Sequence, residues 1–262
     1  MQLTHDNYHT LDNRYLTNSR IRDWIKDKRF FYERHISGER PGIVMTDALR
    51  VGKAVDTYLF EGEKAFRDKF IAVTRRNIKN PPINHTELTE KQYDDIERMM
   101  EVLNRQPAVK DLSDYETQKI ITTDMPIGDH FCGLAGIPDW IKIDGDTCHL
   151  VDLKTVWDSD DRKYHYKCVD FGYYRQFAVM TIIIRKNHPE VKNFTYRHLG
   201  VEKDKDGIFS PFAFYLANEQ VELQVEFILD NIIPTLSKEK DFNPKEITWE
   251  EAITIGDIND EF

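Results

Sequence analysis

The chain is poor in cysteine, carries no net positive charge and has no long apolar run, and each lack removes a class of protein. Cys132, Cys148 and Cys168 are the cysteines among its 262 residues. Three thiols make neither a disulfide framework nor a four-thiolate cluster, so they read as reduced thiols of a cytoplasmic protein. No apolar stretch approaches the roughly 20 residues that span a bilayer, so no membrane partner is expected. The opening residues, MQLTHDNYHT, have neither the basic start nor the apolar core of a signal peptide. Internal repeats, low-complexity blocks and linker-like stretches are also lacking, which favours one domain over residues 1–262.

The net charge of −10 argues against a generic nucleic-acid binder, but the charge is unevenly spread. Residues 14–79 hold 16 Lys and Arg against 9 Asp and Glu, while the remainder holds 20 against 37. One basic surface on an acidic body follows. It reads either as a phosphate-facing wall or as a set of solvated helix faces, and charge alone leaves both open.

What is present centres on residues 134–155, LAGIPDWIKIDGDTCHLVDLKT. Two apolar-rich runs flank Asp144-Gly145-Asp146-Thr147, a strong turn signal, so the stretch predicts a β-hairpin. With the turn centred on Gly145-Asp146, Ile141 falls opposite Leu150 and Ile143 opposite Cys148. Asp139 then falls opposite Asp152, and Ile137 opposite Lys154. The period of two puts Asp139, Asp152 and Lys154 on one face with those apolar side chains. Opposed carboxylates on an apolar face repel each other and are costly to bury. A divalent cation between them removes both objections, and hard oxygen donors suit Mg²⁺ or Mn²⁺. The bland alternative is a set of solvated strand residues, since Asp-Xaa-Lys triplets are common.

Residues 17–36 predict one amphipathic helix, with Ile21, Trp24 and Ile25 on its apolar face and its Arg and Lys outside. Its aromatics, Phe30, Phe31 and Tyr32, read as core rather than as a base-stacking platform. A second helix is expected from about 46 to 60, with Ala48, Val51, Val55 and Leu59 along one stripe. Gly52 and Asp56, four apart, share another face. A glycine there can admit a close backbone and leave Asp56 pointing at it. Residues 61–85 read as irregular, stopped by Pro81-Pro82. Thr89 caps a surface helix that ends at Gln106-Pro107. Residues 115–122 read as a strand beside the hairpin. One long helix is expected over 163–184, strands over 194–202 and 208–216, and a last helix over 219–238. The acidic stretch from about 247 reads as a partly ordered tail.

Taken together, these pieces resemble the PD-(D/E)XK nuclease superfamily, in particular its phage and prophage RecE-like (exonuclease VIII-like) branch within the RecB-like group. The resemblance spans about residues 15–238. Its most specific part is Gly136-Ile137-Pro138-Asp139 followed by Val151-Asp152-Leu153-Lys154-Thr155. It implies an α/β fold with a restriction-endonuclease-like core, a mixed central sheet flanked by helices, and a helical N-terminal part over about 15–110. It also implies that Asp139 and Asp152 bind a catalytic Mg²⁺ or Mn²⁺, with the Leu153 carbonyl as a further ligand. Lys154 would position or polarise the attacking water. Asp56 stands where many RecB-like proteins carry a metal-binding histidine, a departure that keeps a ligand of oxygen type. Gln176 fits the Gln-Xaa-Xaa-Xaa-Tyr helix motif, but Met180 stands in place of its tyrosine. Tyr173 or Tyr174 is then the expected substitute for the missing phosphate contact.

By this resemblance the chain would be a metal-dependent DNA exonuclease that resects duplex DNA from 5′ ends in phage recombination. It would be encoded by a phage or prophage and work in the cytoplasm of the bacterial host. The implied partners are duplex DNA ends, a single-strand annealing protein and further copies of the chain in a ring. Two alternatives stay open: an endonuclease with the same site, and a non-catalytic DNA-end-binding or recombination accessory protein.

Overall fold

The computed structural model describes residues 3–239 apart from 6, 11–12, 41–44, 74–85, 157–158 and 204–205. The Pro81-Pro82 break and the acidic stretch from about 247 lie outside the described residues.

The N-terminal part is helical but more broken than its periodicity suggests. After a short strand, β1 (Tyr15–Leu16), two helices replace the one expected: α1 (Asn18–Lys26) and α2 (Lys28–His35). Asp27 divides them. Its extended backbone ends α1, and its side chain accepts from the Phe30 N–H to open α2. Trp24 and Phe31 are buried, as read from the sequence, but Ile25 is exposed. Arg20, expected outside, is buried, with its guanidinium spent on the carbonyls of Thr10, Asn13 and Tyr15.

Helix α3 (Asp47–Asp56) starts at Thr46, whose hydroxyl accepts from the Leu49 N–H, and runs into a π-helical turn over Thr57–Glu61. Residues 63–73 are regular rather than irregular, forming α4 (Glu63–Lys69) and β2 (Phe70–Val73). Phe66 and Phe70 are both buried and anchor this segment. Strand β3 (Thr86–Thr89) pairs in parallel with β2 and leads into α5 (Glu90–Asn104) through a capping box of Thr89 and Gln92. A single turn, α6 (Pro107–Lys110), follows.

The strand expected over 115–122 is split into β4 (Glu116–Thr117) and β5 (Ile121–Ile127). Gln118, at φ 46°, turns the chain between them. Next come β6 (Phe131–Gly136), which the sequence reading missed, and the hairpin of β7 (Trp140–Asp144) and β8 (Thr147–Val156). The hairpin register is the one predicted, with Ile141 against Leu150 and Ile143 against Cys148. The long helix expected next is broken into α7 (Asp161–Asp170) and α8 (Tyr173–Asn187). Gly172, at φ 68°, takes a left-handed conformation that side-chain-bearing residues resist, and the chain bends there. Strands β9 (Asn193–Lys203) and β10 (Phe209–Tyr215) precede a C-terminal run of α9 (Asn218–Phe227), a π turn over Ile228–Ile232, and α10 (Ile233–Lys238).

The main sheet has five strands in the order β10-β9-β8-β7-β4. Only β8 and β9 run parallel; the other pairs are antiparallel, so the sheet is mixed. A parallel pair needs a crossover, and α7 and α8 supply it. Smaller sheets hold β1-β6-β5 and β2-β3. Along β8 the period of two sends Cys148 and Leu150 into a core shared with Phe177, Ile183, Tyr196 and Val225. Val151 and Leu153 go into a second core with Val55, Phe66, Ile96 and Met100. Helices α8 and α9 thus cover one face of the sheet, and α3 and α5 the other. A central strand buried on both faces gives the polar residues at its end a rigid, dry seat.

Candidate active site

Asp139 lies one residue before β7 and outside the ladder, yet two backbone bonds hold it. The Gln118 N–H donates to its carbonyl at 3.1 Å, and the Leu153 N–H donates to Oδ2 at 2.7 Å. The unusual turn at Gln118 therefore fixes the backbone of Asp139, while β8 fixes its carboxylate.

Asp152 continues the Cys148, Leu150 face of β8 and is buried. Its Oδ1 accepts a hydrogen bond of 2.6 Å from Gln176 Nε2 on α8. Its Oδ2 is ion-paired with Lys154 Nζ but takes part in no hydrogen bond of good geometry. Lys154 also stands 4.5 Å from the centroid of the Tyr173 ring, so a cation–π contact supports it from the start of α8. Burial opposes the lysine's charge, but the Asp152 and Asp139 carboxylates outweigh it and hold its pKa above the ordinary value.

Asp56, the last residue of α3, is brought toward this group across the sheet. Burial and the Asp152 carboxylate push its pKa up to about 7, with Lys154 pulling the other way. Asp139 is raised well above the usual carboxylate range by burial first and then by Asp152 and Asp56. Three acids thus share one field with a single lysine, and that surplus of buried negative charge is unstable unless a proton or a cation joins it.

The donor set fits a hard divalent cation. Asp139 and Asp152 supply carboxylate oxygens, and the single Lys154 ammonium on Asp152 Oδ2 leaves the negative charge of the cluster in excess. Among the described residues, no three His, Cys, Asp or Glu side chains are already gathered tightly enough to enclose an ion. The observed state is one in which Lys154 occupies Asp152.

Not every residue singled out from the sequence reaches the site. Tyr174 is buried, and its hydroxyl meets His165 Nδ1 at 3.1 Å, whereas Tyr173 faces Lys154. Met180 is buried in the core below Gly136, where no phosphate contact is made. A Cβ at Gly52 would meet nothing within 4 Å, so that glycine admits no close backbone. Sequence reasoning missed His198, Tyr164 and Gln118. The first two join the site only through the β8–β9 pairing and the α7 crossover, and neither leaves a local signal. A positive φ at a glutamine leaves none either.

The basic N-terminal segment lines two clefts beyond the carboxylates, of about 310 and 640 Å³, which share Arg22, Asp23 and Arg34. Much of its charge is internally compensated: Arg34 and His35 meet Asp23, and Arg29 and Arg40 meet Glu33. Arg22 also pairs with Asp23, at 3.2 Å, but keeps 55% of its side chain exposed; Arg175, next to Gln176 on α8, lines the larger cleft with it, alongside Asp27 and Asp170.

A family described as "PDDEXK-like domain of unknown function (DUF3799)" matches residues 28–238. No curated protein matches the chain. Among solved structures, a candidate exonuclease from Eubacterium rectale superposes with a TM-score of 0.66 at 17% identity, covering 90% of this chain and 85% of that one. At that identity the likeness concerns the fold. SSO0001 (TM-score 0.29, 12% identity, 71% of this chain and 86% of that one) and LHK-Exo in complex with dAMP (TM-score 0.22, 14% identity, 72% and 92%) are much more distant in shape.

Proposed function

Because the chain belongs to this PDDEXK-like family, we propose that it is a metal-dependent nuclease, and within that class an exonuclease acting on the ends of duplex DNA. The observation that carries the reading is the arrangement on the hairpin. Asp152 sits within β8, just past the last residue paired with β7, with Gln176 on one oxygen and Lys154 on the other, and the Leu153 N–H ties Asp139 to the same strand.

Asp139 and Asp152 would hold the cation, Mg²⁺ or Mn²⁺, with Asp56 as a further oxygen ligand. When bound, such an ion lowers the pKa of water and neutralises charge on a phosphoryl oxygen. The chain's own residues do the rest. Gln176 keeps the Asp152 carboxylate in one orientation through its 2.6 Å bond. Lys154, charged and held by the Tyr173 ring, orients the attacking water or meets the charge that grows on the phosphate. Arg22 and Arg175 line a wall suited to the phosphate backbone, which positions DNA without reading its sequence. The RecE-like role, 5′-end resection ahead of a single-strand annealing protein by a ring of copies, is the finer form of this proposal.

Digestion of linear and covalently closed circular duplex DNA with Mg²⁺, Mn²⁺ or EDTA tests it. Cation-dependent loss of linear DNA alone is the expected result. Cutting of the circle would replace the exonuclease by an endonuclease. Intact DNA of both forms, with a folded protein that still binds ends, would leave a non-catalytic end-binding protein.

A further inference from the structure

His198 on β9 is the Cα partner of Asp152 across the parallel ladder, and it is fully buried. The rings of Tyr164, Tyr173 and Phe177 pack around its imidazole. Its Nδ1 lies 2.7 Å from the Tyr164 hydroxyl, and its Nε2 lies 3.9 Å from Asp152 Oδ2. Neither Nε2 nor Oδ2 has a hydrogen bond, although Oδ2 is ion-paired with Lys154. A buried N–H is seldom left so, and here Nε2, without a partner, faces an oxygen that Lys154 engages, across a gap too long to bond.

Enclosure by those three rings disfavours the charged imidazolium. A neutral imidazole has one N–H, and the neighbours decide where it sits. The Tyr164 hydroxyl donating to Nδ1 leaves the proton on Nε2, the nitrogen that faces an acceptor-only oxygen.

We propose that His198 is a positioning residue for the cation site: its Nε2–H closes on Asp152 Oδ2 when Lys154 leaves that oxygen, and holds the carboxylate ready for the ion. Gln176 already holds Oδ1, so the pair would clamp Asp152 from α8 and from β9. Partners of this kind set ligand orientation and typically change metal affinity by about 10–100-fold. The inference rests on the proposed cation site but not on turnover.

The test is Mn²⁺ affinity of the full chain without DNA, read by electron paramagnetic resonance, beside thermal melting. His198→Leu is expected to weaken Mn²⁺ binding by about 10–100-fold with the fold retained. His198→Gln, which can place an amide N–H near the Nε2 position, is expected to stay close to wild type. Tyr164→Phe, which frees the ring to change tautomer, should fall between them, and it decides the matter if His198→Leu does not fold. Unchanged affinity in His198→Leu or Tyr164→Phe, or equal loss in the Leu and Gln variants, overturns the proposal. Wild-type protein that digests linear DNA while these variants bind Mn²⁺ normally would remove His198 alone. Variants that behave as expected in a protein that digests nothing would remove the nuclease reading and leave His198 in place.

Discussion

Leu153 donates its backbone N–H to Asp139 Oδ2 at 2.7 Å, while its side chain is buried in the core on the other face of β8. The peptide between Asp152 and Lys154 therefore ties the first acid of the hairpin to the second. No side-chain substitution can supply that bond, and none but proline at 153 can remove its donor. The spacing Asp-Leu-Lys thus does two things: alternate side chains go to the site, and the peptide between them aligns Asp139.

Asp139→Asn separates the acid's charge from its shape. The amide oxygen still accepts from the Leu153 N–H, while one of three crowded negative charges is lost. Without divalent cation, at alkaline pH where these raised carboxyls are ionised, the variant should melt higher than wild type, by about 2–4 °C for each kcal/mol of repulsion removed. With Asp139 in the proposed ligand role, cleavage should fall at least about 100-fold, more than for loss of a supporting partner. Parallel melting curves in EDTA and digestion assays in Mn²⁺ check both. A variant that melts no higher and cuts like wild type would show that Asp139 neither repels its neighbours nor binds an ion.

The raised pKa of Asp56, about 7, makes a pH prediction of definite sign. A carboxyl raised above its unfolded value binds more protons in the folded state, so stability from that group is full below about pH 4 and lost as pH rises through about 7. Asp139 acts in the same direction. Burial of His198, whose pKa is lowered to about 3, acts the other way, so the expected result is a difference: between about pH 4 and 7 cation-free wild type should lose melting temperature relative to Asp56→Asn, which lacks part of that downward slope. Mg²⁺ should reduce it for wild type by replacing the protons, releasing them on binding. Melting curves across this range, with and without Mg²⁺, check the prediction. An identical slope in Asp56→Asn would place Asp56 outside the shared field.

The hairpin was legible because its information is local. A turn signal fixes the register, and a period of two then fixes which side chains share a face, so Ile141–Leu150 and Ile143–Cys148 pair as read. The breaks at Asp27, Gln118 and Gly172 were not legible from helical or strand periodicity. At Asp27 the composition continues as a helix, but a side chain that caps the next turn competes with the one before. Gly172 sits inside a long apolar pattern that hides a left-handed residue. His198 lay inside a strand read correctly as a strand. Its facing Asp152 depends on which strand pairs with which, and that is set by the crossover rather than by either segment.

Gln176→Leu asks how much the second arm of the Asp152 clamp contributes. The leucine fills similar space but leaves Oδ1 without the donor that now lies 2.6 Å away. Losing the partner of a buried charged acceptor costs about 1–3 kcal/mol. Some of that should be recovered by Lys154, which would bind Asp152 more tightly and be less available for the reaction. Cleavage should fall about 10–100-fold with a modest loss of melting temperature. Digestion rates and melting curves measure the two effects, and a rate equal to wild type would remove Gln176 from the site.

Two glycine-to-alanine changes should act with opposite sign. Gly200 is the β9 partner of Lys154, and a Cβ there would lie 2.0 Å from the Lys154 carbonyl oxygen and 2.6 Å from the Phe212 ring. The first atom belongs to the backbone of β8, so relief requires the two central strands to separate beside Lys154. Gly200→Ala should cost about 1–3 kcal/mol by overpacking. It should also reduce cleavage beyond what the lost stability explains, because Lys154 moves with its backbone. Gly52 is the contrast: a Cβ there meets nothing within 4 Å, and the residue is inside α3. Gly52→Ala should raise stability by about 0.5–1 kcal/mol through helix propensity. Urea unfolding of the two variants, with digestion measured below the transition, checks both. A Gly200→Ala protein as stable and active as wild type would mean that β8 and β9 are not packed at Lys154 as described.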